Sequence, residues 1–262
     1  VTRELLPHGD ALIDVLIDDK GLSLGTIVLL PSSLRDSLDF TDVAQGLADQ
    51  GFRVLRPQPR GMGRSSAPLA GLTLQTLAAD VAHVIKQLGG GRAIVAGHAY
   101  GHYVARVTDL HHPESVRGVV LLAASAREPL AELSTSLDIA ADNTRPEAER
   151  LMQLRQAFFA SGNDASVWLE GWHPQWRALY RLAAANPPKD QWWPTANAPI
   201  LDVQGAQDPW RPRSTKFELQ EKLGDKVSIC VIDGASHALV PEQPSAVIAA
   251  ITEWVRSLPD ER

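Results

Sequence analysis

The chain has 262 residues, 44% of them hydrophobic and 21% charged, with a formal net charge of −6 at pH 7. That length suits one α/β domain carrying an insertion, and the apolar fraction is that of an ordinary globular core. Basic residues are dispersed and no nucleic-acid-binding module is in view, which argues against a polyanionic partner. Cys230 is the one cysteine, so no intrachain disulfide can form, which fits a reducing, cytoplasmic setting. There is no signal-peptide pattern and no apolar run long enough to span a bilayer, so no membrane partner is expected. Val1 stands where an initiator Met would, which points to a processed or trimmed start.

In chain order, Leu5 to Ile17, broken by Pro7-His8-Gly9-Asp10, reads as two opening antiparallel strands. Thr26-Ile27-Val28-Leu29-Leu30 is a continuous apolar run, as for a strand buried on both faces. A helix with Phe40, Val43, Ala44 and Leu47 on one side follows, then a strand at Phe52 to Leu55. Leu74, Leu77, Ala78, Val81, Val84, Ile85 and Leu88 form a helical stripe that Gly89-Gly90-Gly91 ends. Ala93 to Ala96 is a strand, Tyr100 to Asp109 a helix, and Gly118 to Ala124 another buried strand. From about Arg127 to Asn197 no β pattern is visible. Strands return at Pro199 to Val203 and Val227 to Ile232, and Val247 to Leu258 reads as a last amphipathic helix. The alternation implies a mostly parallel sheet with helices on both faces. Residues 1–126 and 198–262 would be the core, and 127–197 a helical lid inserted after the sixth strand.

Val95-Ala96-Gly97-His98-Ala99-Tyr100-Gly101 has the glycine spacing of the strand-to-helix nucleophile motif G-x-S-x-G. Its central residue is Ala99, whose methyl group can neither attack a carbonyl nor pass on a proton. Ligands of open α/β sheets bind beyond the carboxyl ends of the strands. Two such ends carry Gly205-Ala206-Gln207-Asp208 and Gly234-Ala235-Ser236-His237. The order elbow, Asp, His is that of hydrolase triads.

On these residues the chain resembles the α/β-hydrolase fold superfamily, in the lid-bearing branch of esterases, C–C hydrolases, epoxide hydrolases and hydroxynitrile lyases. The resemblance covers essentially the whole chain and implies an eight-stranded, mostly parallel sheet. Arg56 to Ser66 is similar to the family's D-x-R-G-x-G-x-S loop, although Pro57 or Gln58 stands near its Asp. The match implies that Asp208 orients His237, that His237 is the general base, and that the backbone N–H groups of Ser33 and Tyr100 form an oxyanion hole. Leu29-Leu30-Pro31-Ser32-Ser33 departs from the His-Gly usual in that loop.

The resemblance leaves three functions open. One is hydrolysis of an ester, lactone or C–C bond in a small apolar or aromatic substrate, with a serine replaced by Ala99. Another is an enzyme that naturally lacks the nucleophile and uses the His237–Asp208 dyad as a base, as a lyase, hydratase or cofactor-free oxygenase. The third is a non-catalytic binder, against which the intact dyad argues. No cofactor is expected, and no metal. His98 and His102 stand four apart, but the elbow turn interrupts that spacing and no H-E-x-x-H occurs. His98 reads as a packing group behind the site, Ser125 as a lid junction that could also supply a relocated nucleophile, and Cys230 as a buried, inert thiol. Trp168, Trp172, Trp176, Trp192, Trp193 and Trp210 crowd the insertion and its exit, and are expected to line an apolar pocket. Nothing in the sequence speaks to the oligomeric state.

Overall fold

The structure is a computed structural model that describes residues 1–22, 24–68 and 70–259. Among these residues eight strands form one sheet in the order β1-β2-β4-β3-β5-β6-β7-β8. The strands are β1 (Thr2–His8), β2 (Ala11–Asp18), β3 (Thr26–Leu30), β4 (Arg53–Pro57), β5 (Ala93–His98), β6 (Val116–Leu122), β7 (Ile200–Gly205) and β8 (Val227–Ile232). The β1–β2 and β2–β4 pairs are antiparallel and all others parallel. This is the mostly parallel sheet that the alternation implies, with the eight strands that the resemblance implies. β3 and β5 are buried at every position, which is why they read as unbroken apolar runs.

Helices cover both faces. On one side lie α1 (Thr41–Asp49) and the C-terminal helix α10 (Pro244–Ser257), whose Val43, Leu47, Val247 and Ile251 meet Ile27, Ile94 and Val120 of the sheet. On the other side α2 (Leu74–Leu88) and α3 (Gly101–His111) bring Leu77, Val81, Val84 and Val104 against Val28, Val95 and Val119. α2 starts where Thr73 accepts a hydrogen bond from the Thr76 N–H (3.1 Å) and runs to Leu88, just before Gly89. α10 starts with Pro244 in its first turn. Among the described residues no helix is long and apolar enough to cross a membrane.

Between β6 and β7 the chain forms α4 (Ala131–Ala141), α5 (Glu147–Ala157), α6 (Arg177–Ala184) and α7 (Lys189–Trp192), with short 3-10 turns and no strand. This block has a core of its own around Leu133, Leu137, Leu154, Phe158, Phe159 and Trp168. The remaining helices are α8 (Glu218–Leu223) and α9 (Leu239–Glu242). Cys230 differs from its expected burial. It is half-buried, because β8 is an edge strand and leaves Ser228 and Val231 exposed beside it. Burial and the nearby Glu253 carboxylate still raise its thiol above the ordinary value.

The exit from the helical block hangs on Asp109, the last acid of α3. Its carboxylate accepts from the Asn197 N–H (2.7 Å) and the Ala198 N–H (3.0 Å), and its carbonyl accepts from the Asn197 side chain (2.7 Å). Removing a buried acceptor leaves those N–H groups without partners, at about 1–3 kcal/mol. Asp109→Ala is therefore expected to lower the unfolding free energy by about 2–3 kcal/mol in urea titrations. A change below ~0.5 kcal/mol, the scale of an ordinary surface substitution, would contradict this account.

Candidate active site

The site sits where β3, β5 and β6 end. The three non-glycine residues with positive φ among those described lie there: Leu34 (59°) past β3, Ala99 (45°) past β5 and Ala123 (46°) past β6. Left-handed backbone at a residue bearing a Cβ is unfavourable and persists only where the surroundings impose it. At the elbow they do. A Cβ on Gly97 would lie 2.2 Å from the carbonyl carbon of Gly101, and one on Gly101 would lie 2.3 Å from the Leu30 oxygen. The turn is held so tightly that Gly97 and Gly101 admit no side chain, and Ala99 is carried at its apex.

Asp208 and His237 come from the turns after β7 and β8. The His237 Nδ1 lies 3.0 Å from the Asp208 Oδ2, with both side chains buried. The other carboxylate oxygen, Oδ1, accepts the Trp210 N–H (2.8 Å), which fixes the acid. A carboxylate can only accept, so Nδ1 carries a proton, and in the neutral ring the lone pair is on Nε2. The Trp210 ring stacks on the imidazole, with centroids 4.9 Å apart and planes at 22°. Behind them His98 Nε2 donates to the carbonyl of His237 (2.7 Å). Complete burial drives the His98 pKa down to about 3, with the His237 charge as a smaller cause, so His98 is neutral and braces the loop.

His237 and Ala99 share a cavity of about 180 Å³. Ser32, Ser33, Tyr100 and Tyr103 form part of its wall, and Ser125 closes another side. Ser134 and Leu137 of α4, Phe158, and Arg177, Arg181 and Ala184 of α6 complete it. Among the described residues, neither the Ser33 nor the Tyr100 N–H donates to a backbone or side-chain acceptor. The Tyr100 N–H also belongs to the N-terminal end of α3, where the helix dipole favours negative charge. A second, smaller cavity of about 50 Å³ shares Ser32, Ser33 and Tyr100 but is otherwise mainly apolar, with Leu30, Met62 and Val104 among its walls.

None of the six tryptophans lines the cavity above Ala99, which corrects the aromatic-pocket expectation. The reason is that the inserted block must build a core and fasten itself to the sheet. Trp168 and Trp172 enclose the guanidinium of Arg35, each ring centroid 4.8 Å from its central carbon. Arg35 in turn pairs with Asp39 through Nε (2.8 Å) and Nη2 (2.6 Å). The Trp176 indole donates to the Gly61 carbonyl (2.9 Å). Trp192 and Trp193 are buried against the core, with Arg106 5.5 and 5.6 Å from their centroids. Trp210 backs His237 and donates its indole N–H to the Ala157 carbonyl (2.8 Å).

The sequence reading missed two features. Glu242 accepts from the N–H groups of Ser236 (2.6 Å) and Ala160 (2.5 Å) and from the Asn163 amide (2.7 Å), tying the His237 loop to the helical block. A lone acid five residues past His237, following the apolar pair Leu239-Val240, was the available signal. The other is Arg177 and Arg181, four apart on one helix and both facing the cavity. Gln58, which stands near the family's acid, is buried and accepts the Ser37 N–H (3.0 Å). Ser125 lines the cavity, as a junction residue or a relocated nucleophile would. His102 is the second residue of α3 and packs edge-on against Trp192 (6.1 Å).

Comparison with known proteins agrees with this fold. The model of the alpha/beta hydrolase family matches residues 27–251. The chain belongs to the alpha/beta hydrolase family. It is 31% identical to the sn-1-specific diacylglycerol lipase ABHD11 of Danio rerio, over 92% of this chain and 81% of that protein. It is 23% identical to epoxide hydrolase A of Mycobacterium tuberculosis, over 81% of this chain and 84% of that protein. Among solved structures, an esterase from Thermogutta terrifontis superposes with a TM-score of 0.78 at 23% identity, covering 98% of both chains. E-2-(acetamidomethylene)succinate hydrolase superposes at 0.80 with 18% identity, covering 98% of this chain and 99% of that one. The fold is therefore that of hydrolytic enzymes.

His98 and His102 make stability pH-dependent. Burial also holds His102 well below the usual imidazole value, and neither of its ring nitrogens has a partner among the described residues. Both histidines stay neutral in the folded chain, while the unfolded chain takes up protons near the usual 6.5. The stability that is complete above that pH is lost as pH falls, for His98 down to about 3. Each contributes a slope of up to ~1.4 kcal/mol per pH unit. His102→Phe is expected to make the loss between about pH 6.5 and 5 shallower by up to that amount, measured by urea unfolding at each pH. Identical slopes in parent and variant would refute it.

Proposed function

We propose that the protein is a hydrolase in which the His237–Asp208 dyad activates water directly, without a covalent nucleophile. The hydrogen-bonded dyad beside the Ala99 methyl carries this reading. In the family's usual arrangement a hydroxyl at that position gives its proton to the histidine. Here the space over Ala99 is left for a water molecule, and His237 Nε2 is the group that would take its proton.

For a carboxylic ester or lactone the steps balance as follows. Water attacks the carbonyl carbon while His237 Nε2 accepts its proton. The carbonyl π electrons move to oxygen, and the oxyanion is held by the N–H groups of Ser33 and Tyr100. The C–O bond to the leaving group then breaks. The imidazolium returns its proton to the departing alkoxide, giving an acid and an alcohol. Asp208 keeps Nδ1 protonated and stabilises the imidazolium between the two steps. The helical block of residues 127–197 acts as the lid that roofs the cavity.

His237→Ala is expected to lower kcat/KM by about 10²–10⁴-fold on any ester that the protein hydrolyses, the usual worth of a positioned general base. The parent protein should show no mass increase with a fluorophosphonate probe, whereas Ala99→Ser should gain one phosphonyl group with loss of fluoride. Labelling of the parent at Ser125 or Ser33 would instead make that serine the nucleophile and overturn direct water attack.

A further inference from the structure

The cavity that holds His237 and Ala99 is cationic on its α6 side. Arg177 and Arg181 both line it, and no aspartate or glutamate does. The Arg177 guanidinium is braced by Asp138 through Nε and by the Ser134 hydroxyl through Nη2 (2.9 Å). Among the described residues its Nη1 has no acceptor, and Arg181 has none at all. Four residues apart on one helix, the two cations repel each other. An arginine on an exposed helix face commonly does nothing but meet water. This pair differs because it borders the same cavity as the dyad, in a chain whose overall charge is −6.

α6 is also held firmly above the elbow. Tyr180 donates its hydroxyl to the Arg60 carbonyl (2.8 Å), and Tyr100 donates its own to the Tyr180 carbonyl (3.1 Å). Just before α6, Trp176 is fastened to Gly61 (2.9 Å). The Tyr100 side chain that holds α6 therefore belongs to the residue whose N–H faces the reacting carbonyl. The second cavity, across the Ser33–Tyr100 wall, offers no free charge, since its Arg60 and Asp80 pair with each other (2.7 and 2.9 Å).

We propose that the substrate carries a carboxylate, bound by Arg177 and Arg181 while the scissile group lies over Ala99. This rests on the hydrolytic reading above and names its substrate class. The planar guanidinium fork matches a carboxylate in two parallel hydrogen bonds, and the Ser134 and Ser125 hydroxyls supply further donors on the same wall. The mainly apolar cavity takes the short uncharged end of the molecule. The anionic end thus sets the orientation in which the carbonyl meets the Ser33 and Tyr100 N–H groups.

Monomethyl glutarate and its half-amide, methyl glutaramate, have the same shape and differ by the charge. The parent protein is expected to prefer the acid in kcat/KM by about tenfold or more, and Arg181→Gln is expected to erase that preference. Arg181 is exposed, so this variant should fold as the parent does. Calorimetric titration with glutarate and glutaramide reads the same selectivity without chemistry: glutarate should bind the parent and bind Arg181→Gln about tenfold more weakly or worse. Glutarate binding that depends on Arg181, with neither ester hydrolysed, would uphold the carboxylate site and remove the hydrolytic reading. Hydrolysis of both esters at equal rates, or no selective glutarate binding, would overturn the carboxylate site whether or not the esters are hydrolysed.

Discussion

The contact on which the site depends is between backbones. Gly97 and Gly101 let β5 turn into α3 so closely that a single Cβ on either would lie 2.2–2.3 Å from main-chain atoms. That approach fixes the path of the chain between them, and the path forces Ala99 to a φ of 45°. It also brings Tyr100 to the wall of the cavity and seats the start of α3 against the end of β3. The dyad from β7 and β8 then meets the elbow because the parallel strands deliver all their carboxyl ends to one edge.

The helical block is attached to this edge at several separate points. Arg35, enclosed by Trp168 and Trp172, bonds both Asp39 of the core and the Glu170 carbonyl of the block (2.5 Å). Glu242 reaches Ala160 and Asn163, and burial raises its carboxyl above the ordinary value despite the three N–H groups it accepts from. Tyr180 and Trp176 bond to the Gly61 loop. Two of these links reach the cavity itself: Glu242 holds the Ser236 N–H beside His237, and the Tyr180 carbonyl accepts the Tyr100 hydroxyl.

Local pattern carried the sheet and the dyad. Strand runs buried on both faces and the α2 stripe are properties of neighbouring residues, and α2 spans the residues its stripe marks. Asp208 and His237 follow from their places after two strands in a fold whose topology fixes where strand ends go. The tryptophans were misread because composition does not say which way an indole points. An inserted block without a sheet to lean on spends its aromatics on its own core and its anchors. The Arg177–Arg181 pair was hidden for the converse reason. A helix with two arginines among leucines and alanines reads as a solvated face until the fold sets that face over a cavity.

Keeping a strained elbow around a methyl group is intelligible in energetic terms. Left-handed backbone at a non-glycine residue costs about 1–3 kcal/mol, and without a hydroxyl the strain no longer presents a nucleophile. On the water-attack reading proposed above it still presents the Tyr100 N–H, and one oxyanion donor is worth about 2.7–4 kcal/mol of transition-state stabilisation. The strain lowers folding stability while the proposed donor lowers the reaction barrier, so an elbow kept for its donor gains rate at a cost in stability. Leu34, with a φ of 59°, is the left-handed residue on the facing loop and directly follows Ser33. On the water-attack reading both donors are backbone groups, and neither needs a hydroxyl at position 99. On that reading a hydroxyl at position 99 is a group that neither the backbone of the elbow nor the attack of water requires.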